Sequence, residues 1–178
     1  MVDEGRGAIV CGVDASDEAV GAIRVSERLA TALGRRLVLV HAGRDLSLLP
    51  RLTPIGVSFH ADARERLRDA ALEAGQGLLD EQRATAGAGD CEARVLLGEP
   101  ASVLVRFARD ENASAIVMGS RGRGPVAGAV LGSASAQVIA SSPCPVVIVP
   151  PGVGETWAAA GTAGTGRAPA RWPARARR

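Results

Sequence analysis

The chain has 178 residues, 47% of them hydrophobic but only 2% aromatic, with no tyrosine and a formal net charge of +2. That length suits one domain with a single core, which Ala, Val, Leu and Ile must fill. Residues 151–178 carry five arginines against Glu155, so the rest of the chain is slightly acidic, which argues against a dedicated nucleic-acid-binding face.

The opening Met1-Val-Asp-Glu-Gly-Arg lacks the basic start and apolar stretch of a signal peptide. No run approaches the ~20 apolar residues of a membrane span, so a soluble, cytoplasmic chain is expected. Cys11, Cys91 and Cys144 are far apart, and no pair has metal-ligand spacing. With only two histidines beside them, they are expected to be small buried hydrophobes in a reducing compartment.

Ala8–Val13 is a continuous apolar run, as expected of a strand buried on both faces. Ser16 is placed to N-cap a helix with Asp17 and Glu18 in its first turn; Ala19, Ile23, Ala30 and Leu33 keep helical spacing, and Gly34 ends it. Leu37–Val40 is a second buried strand. Arg44–His60, with Pro50 and Pro54, is expected to be a long loop or flap. Ala63, Leu67, Ala70, Ala74 and Leu78 predict the inward face of a second helix, broken by Thr85–Asp90. Cys91–Leu97 alternates enough to suit an outer strand with one wetter face. Pro100 fits the first turn of a third helix that turns Leu104, Phe107 and Ala108 inward. Ala115–Met118 is a further buried strand, and a glycine-rich loop, a helix to about Ser141 and the strand Val146–Val149 complete the order β-α-β-α-β-α-β-α-β. Strands alternating with helices imply an α/β fold: a single-domain open parallel five-stranded sheet flanked by helices and built from right-handed crossovers. Residues 151–178, rich in Gly, Ala, Pro and Arg without periodicity, are expected to form a disordered tail. The tail's arginines offer the one expected route to RNA, DNA or an acidic partner.

The most informative stretch is Gly119-Ser-Arg-Gly122-Arg-Gly124-Pro-Val-Ala-Gly128-Ala-Val-Leu-Gly132-Ser133-Ala-Ser135. A glycine-rich loop between a strand and a helix can aim bare N–H groups at an anion, and the helix N-terminus adds partial positive charge. Arg121 and Arg123 supply cations, although loop arginines are as often merely solvated, and no Asp or Glu occurs from Asn112 to Gly154. The chain has no lysine, so a Walker A loop is excluded. Gly122-Arg-Gly124-Pro-Val-Ala127 satisfies a loose dinucleotide pattern but comes too late in the chain, with no acid near Ser142–Val147 to take a ribose. Ser133 can donate to a phosphate, N-cap the helix, or do both. Asp14 can bond a ribose hydroxyl or help hold Mg²⁺ through water, or it can be a turn aspartate; Ser16, as the expected cap, would leave it free. His41, where the second strand ends, is read as a bystander rather than a base.

Gly119, two residues, Gly122, nine residues, Gly132 and then Ser133 resemble the nucleotide loop of the ATP-binding branch of the universal stress protein family. Ile9-Val-Cys-Gly-Val13-Asp14-Ala-Ser16 resembles that family's first strand and turn. Leu37-Val-Leu-Val40-His41-Ala resembles its second strand, Gly98-Glu-Pro100 the turn before its third helix, and Pro143-Cys-Pro145-Val-Val-Ile-Val149-Pro its last strand. The resemblance covers roughly residues 6–150, and divides the chain into a nucleotide-binding domain, 1–150, and the tail, 151–178. It implies a Rossmann-like sheet of strand order 3-2-1-4-5, akin to the adenine nucleotide alpha hydrolases, with a switch point between strands 1 and 4. It further implies ATP, with Mg²⁺, as ligand. Asp14 would then contact the nucleoside, Val40 would offer backbone groups to the adenine, and Met118 and Gly119 would lie near the nucleoside. Gly122, Gly132 and Ser133 would meet the phosphates, with Ser135 as a further hydroxyl. A homodimer through the last strand is implied as well, in keeping with an apolar strand that has no charged guard at the sheet edge.

Four functions follow from these readings. The first is a nucleotide-dependent regulatory protein, which needs a cradle and no strong catalyst. The second, a slow ATP hydrolase or phosphotransfer enzyme, needs a base and firm metal ligation that the loop does not supply. The third is a nucleotide-independent interaction module of the same fold, and the fourth a flavin- or dinucleotide-binding enzyme. The intact glycine spacing favours the first.

Overall fold

The computed structural model describes residues 7–44, 61–89, 91–122 and 131–153. The expected loop beyond Arg44, the loop residues Arg123, Gly124 and Gly128, and the tail beyond Val153 lie outside the described residues.

The elements are β1 (Ile9–Gly12), α1 (Asp17–Leu33), β2 (Leu37–Gly43), α2 (Ala61–Ala86), β3 (Glu92–Leu97), α3 (Pro100–Asp110), β4 (Ala115–Gly119), α4 (Ser133–Ser141) and β5 (Val146–Val149). The strands form one sheet of order β3-β2-β1-β4-β5, and every pairing is parallel. The inner strands are apolar without interruption because both faces are covered. Ile9, Cys11, Leu37, Leu39 and Val117 face a core shared with Ala22, Ile23 and Leu79 of α1 and α2. Val10, Val38, Val40, Ile116 and Met118 face the opposite core, with Val103, Leu104 and Ala108 of α3 and Val138 of α4. Burial drives the Cys11 thiol up to about 12, so it packs as a small hydrophobe, as expected, whereas Cys91 and Cys144, expected to be buried too, are only half-buried because they lie just before the edge strands β3 and β5.

The helix ends follow the sequence closely. Gly34 takes the left-handed conformation (φ 61°, ψ 41°); its N–H donates to the Thr31 carbonyl while the Arg35 N–H reaches the Ala30 carbonyl. Ser16 sits at the N-cap of α1 but makes no side-chain cap bond. The expectation that Ser16 caps and leaves Asp14 free is therefore reversed: the Ser16 N–H (3.1 Å) and hydroxyl (2.5 Å) both donate to Asp14 Oδ1. The charge-assisted bond to the carboxylate turns the hydroxyl back toward Asp14, and its oxygen does not accept from the N–H groups of the helix.

The inward face of α2 also differs from expectation. Ala70 and Ala74 are exposed, while Gly75, Leu79 and Ala86 are buried. The helix turns its glycine, rather than its neighbouring alanines, to the sheet because its backbone runs close there. A Cβ on Gly75 would lie 2.6 Å from Val95 Cγ1 and 3.1 Å from His41 Cδ2. Alanine periodicity carries too little hydrophobic weight to reveal that contact.

Edge strand β3 is fastened at its start by Arg36, which pairs with Glu92 (2.9 Å) and with Glu111, while Arg94 also reaches Glu92. At the other end of the sheet, Gly98 (φ 146°) donates its N–H to the Gly43 carbonyl at 2.9 Å. Glu99 then caps α3: Oε1 accepts from the Ala101 N–H (3.2 Å) and Oε2 from the Ser102 N–H (2.8 Å), ahead of Pro100 in the first turn. Beyond β5, Pro151 and Gly152 turn the chain so that Val153 packs against the α1-side core. Among the described residues no helix is long and apolar enough to cross a membrane.

The two N–H donors hold the Glu99 carboxyl below its ordinary range, the Ser102 N–H contributing most. A group whose pKa is lowered by folding stabilises the fold above its unfolded value and loses that contribution as pH falls through the folded one. Wild type is therefore expected to exceed Glu99→Gln in urea midpoint at pH 6, and the gap should close as pH falls below the ordinary glutamate value of about 4.3.

Candidate functional site

At the carboxyl ends of β1 and β4 the chain leaves toward opposite faces of the sheet, into α1 from β1 and into the loop before α4 from β4. A crevice opens between the two departures, as it does at the switch point of open parallel sheets. It forms a cavity of about 680 Å³. Gly12, Val13 and Asp14 give one wall, Val40 and His41 the second, and Met118, Gly119, Arg121 and Gly122 the third. Pro100 and Leu104 of α3 add an apolar side, and Leu131 through Ser135 close the crevice from the start of α4. All eight residues singled out from the sequence, Asp14, Val40, Met118, Gly119, Gly122, Gly132, Ser133 and Ser135, line this one space.

Of the described loop glycines, Gly119, Gly122 and Gly132, none has a positive φ, and Gly119 and Gly122 serve closeness of approach rather than handedness. A Cβ on Gly119 would fall 2.9 Å from Glu18 Cβ and 3.1 Å from the Arg121 carbonyl oxygen. A Cβ on Gly122 would fall 2.5 Å from Asp14 Oδ2. The bare backbone at Gly122 thus lets the Asp14 carboxylate span the crevice, with Oδ1 on Ser16 and Oδ2 against the loop. Gly132 is less confined, its nearest neighbour being Arg121 Cα at 3.5 Å; its N–H donates to the Ser120 carbonyl at 2.7 Å and folds the loop's two ends together.

The N-cap of α4 is Gly132, not Ser133, and no side chain caps it. The first intrahelical bond runs from the Ala136 N–H to the Gly132 carbonyl (2.9 Å). The N–H groups of Ser133, Ala134 and Ser135 therefore have no carbonyl of their own helix to donate to, and the helix places its partial positive charge at the crevice. Ser133 is exposed there. Ser135 is only 3% exposed, and its hydroxyl donates to the Gly119 carbonyl at 3.0 Å; it ties α4 to the end of β4.

Val40 is buried, and its carbonyl accepts the Val13 N–H at 2.9 Å. Arg44 and Arg121 are exposed on the crevice lining. Among the described lining residues Asp14 is the sole carboxylate. No group of three or more His, Cys, Asp or Glu that could hold a metal ion by themselves occurs among the described residues. Sequence reasoning missed Arg44, Leu131 and the apolar side from Pro100 and Leu104. Leu104 was foreseen only as a core residue, and its Cδ1 would lie 2.9 Å from a Cβ on Gly12, a contact between distant segments that no local pattern announces.

The sequence profile of the universal stress protein family matches residues 5–150. The chain belongs to the universal stress protein family. A universal stress protein of Thermus aquaticus is 37% identical over 141 residues, spanning 79% of this chain and 96% of its own. A universal stress protein solved in complex with cAMP is 29% identical, with a TM-score of 0.53 over 80% of this chain and 96% of that one. The universal stress protein UspA from Lactobacillus plantarum superposes with a TM-score of 0.61 over 81% of this chain and 98% of its own. At 18% identity it speaks for the fold alone, and that fold is the strand order the resemblance implied.

The space around the glycines of this universal stress protein predicts a graded response to alanine. Gly119→Ala drives a Cβ into backbone and a neighbouring Cβ that cannot rotate away, and is expected to cost roughly 1–3 kcal/mol. Gly132→Ala meets only ordinary contacts and exchanges one weak N-cap for a poorer one, at a cost of about 1 kcal/mol or less. Urea denaturation of the two variants beside wild type checks the order; equal midpoints would contradict it.

Proposed function

We propose that this universal stress protein binds an adenine nucleotide, ATP with Mg²⁺, in the crevice between β1 and β4, and that it acts as a nucleotide-dependent regulatory dimer. The observation that carries the reading is the convergence of three anion-receptive features on one cavity. Those features are the N–H groups at the start of α4 that have no acceptor in their own helix, the loop backbone at Gly119 and Gly122, and the Arg121 guanidinium. The volume of about 680 Å³ falls within the range of small-molecule sites, roughly 300–1,000 Å³. The cAMP complex of the relative at 29% identity supports an adenine nucleotide as the ligand class.

In this reading Val40, Met118 and Gly119 border the nucleoside, and Gly122, Gly132 and Ser133 border the phosphates. Ser135 acts by holding α4 to β4. The donor set fits Mg²⁺, which is usually held by one or two carboxylates together with substrate phosphates and waters; Asp14 would hold it here, and the ion would offset phosphate charge. Efficient turnover is not part of the reading. Asp14 is the sole carboxylate among the described lining residues, which is too few for the firm metal ligation that phosphoryl transfer needs, and ATP hydrolysis is at most slow.

The dimer reading rests on β5. It is the last strand of the sheet, consists of Val146, Val147, Ile148 and Val149, and carries no charge. An apolar edge with unpaired backbone groups pairs readily with a second copy.

Native mass spectrometry of freshly purified protein tests both statements, with any released ligand identified. The expected species is a dimer carrying one adenine nucleotide per chain. Gly122→Val, whose branched side chain would displace the Asp14 carboxylate, is expected to lose the nucleotide and keep the dimer. A dimer that ignores millimolar Mg-ATP would instead make the protein a nucleotide-independent interaction module. Unchanged retention by Gly122→Val would remove the loop from the site.

A further inference from the structure

His41 was read from the sequence as a bystander, yet its ring is fixed more firmly than that role requires. It belongs to β2 and lines the crevice, and Nδ1 lies 2.8 Å from the carbonyl oxygen of Val13. A carbonyl can only accept, so Nδ1 carries the hydrogen, and the neutral ring presents Nε2 as an acceptor. The opposite side of the ring meets the backbone of α2, where Gly75 leaves just enough room: a Cβ there would come within 3.1 Å of His41 Cδ2. The imidazole is thus wedged between β1 and the outer helix and cannot turn without breaking the contact to Val13.

The Val13 peptide is where β1 stops being a strand and becomes the turn that bears Asp14. Its N–H is held by the Val40 carbonyl at 2.9 Å. Its own carbonyl lies past the last ladder pair of β1, Gly12 with Val40 and Met118, at a residue only 4% exposed. A buried carbonyl there must be satisfied, and the His41 side chain satisfies it. Two successive residues of β2, Val40 through its backbone and His41 through its ring, therefore clamp the residue immediately before Asp14.

We propose that His41 is a positioning residue of the crevice: its Nδ1–H, braced from behind by the Gly75 backbone of α2, holds the Val13–Asp14 peptide and so aims the Asp14 carboxylate across to Gly122. Its consequence for a ligand rests on the nucleotide reading of the crevice; the clamp itself does not. The carboxylate needs this support because its other restraint, the Ser16 turn, is local and would move with Asp14 as a unit.

Two variants and a ligand-free readout test the clamp. In His41→Asn the side-chain amide takes about the place of Nδ1 and can still donate to Val13; in His41→Leu no donor remains. Imidazole ¹⁵N shifts of wild type should show the hydrogen on Nδ1. The ¹³C shift of the Val13 carbonyl, followed by NMR, should move upfield in His41→Leu, where its hydrogen bond from the ring is lost, and return toward wild type in His41→Asn. Mg-ATP affinity should follow the same order, falling roughly tenfold in His41→Leu, the scale of one lost hydrogen bond, with recovery in His41→Asn. A ring with hydrogen on Nε2 alone, or a Val13 carbonyl shift unaltered in His41→Leu, would overturn the clamp. An altered carbonyl shift with unaltered Mg-ATP affinity would overturn its role in aiming Asp14. If wild type binds no nucleotide, the proposed function fails, and the ring tautomer and the Val13 carbonyl shift still decide the clamp.

Discussion

The site depends on β1 and β4 lying side by side while the chain leaves them on opposite faces of the sheet. Parallel pairing in the register Gly12 with Met118 brings the two carboxyl ends level. The connection after β1 enters α1 on one face, and the connection after β4 reaches α4 on the other. No packed element can fill the gap between chains diverging in this way, so a cavity is a consequence of topology before any side chain is chosen. Side chains then decide what the cavity can hold. Gly12 lets Leu104 in from α3 and Gly119 lets α1 approach at Glu18, while Gly122 admits the Asp14 carboxylate. Each omitted Cβ brings a different element to the rim.

Much of this was legible because strands buried on both faces and helices ended by Gly34 leave strong local traces. The loop glycines, Asp14 and the start of α4 were likewise visible as motif and spacing, and the cavity brings them together. What escaped were relations between segments remote in sequence. Ser16 looked like a cap by position, but a carboxylate two residues earlier takes its hydroxyl. Ser133 looked like a cap by residue type, but the helix starts one residue earlier than expected and its N-cap is Gly132. The face of α2 was misjudged because Ala70 and Gly75 differ by a methyl group in the sequence and by a whole packing contact in the fold. His41 showed no partner in its own strand because its partner is the Val13 carbonyl just past β1, 28 residues away.

The glycines divide by the kind of constraint they relieve. Gly34 ends a helix with positive φ, where any side chain would be strained by its own backbone. Gly119 and Gly122 keep ordinary φ, and there a side chain would be strained only by its neighbours. The first kind sets where an element stops and is recognisable from the flanking periodicity. The second sets how near two elements come and carries no local signature, which is why a glycine-rich loop announces closeness without naming what approaches.

The ion pairs of Arg36 with Glu92 and Glu111 sit at the amino ends of β2 and β3, at the far end of the strands from the crevice. Partly exposed pairs of this kind are screened by salt, as is any attraction of the crevice for a phosphate. Strands of four to seven residues hold the two charge systems apart by more than a Debye length, about 8 Å at physiological ionic strength. The molecule is in this sense electrically bipartite: one pole fastens the edge of the sheet, the other lines the crevice proposed to take a nucleotide, and substitutions at one are expected to leave the other's field unchanged.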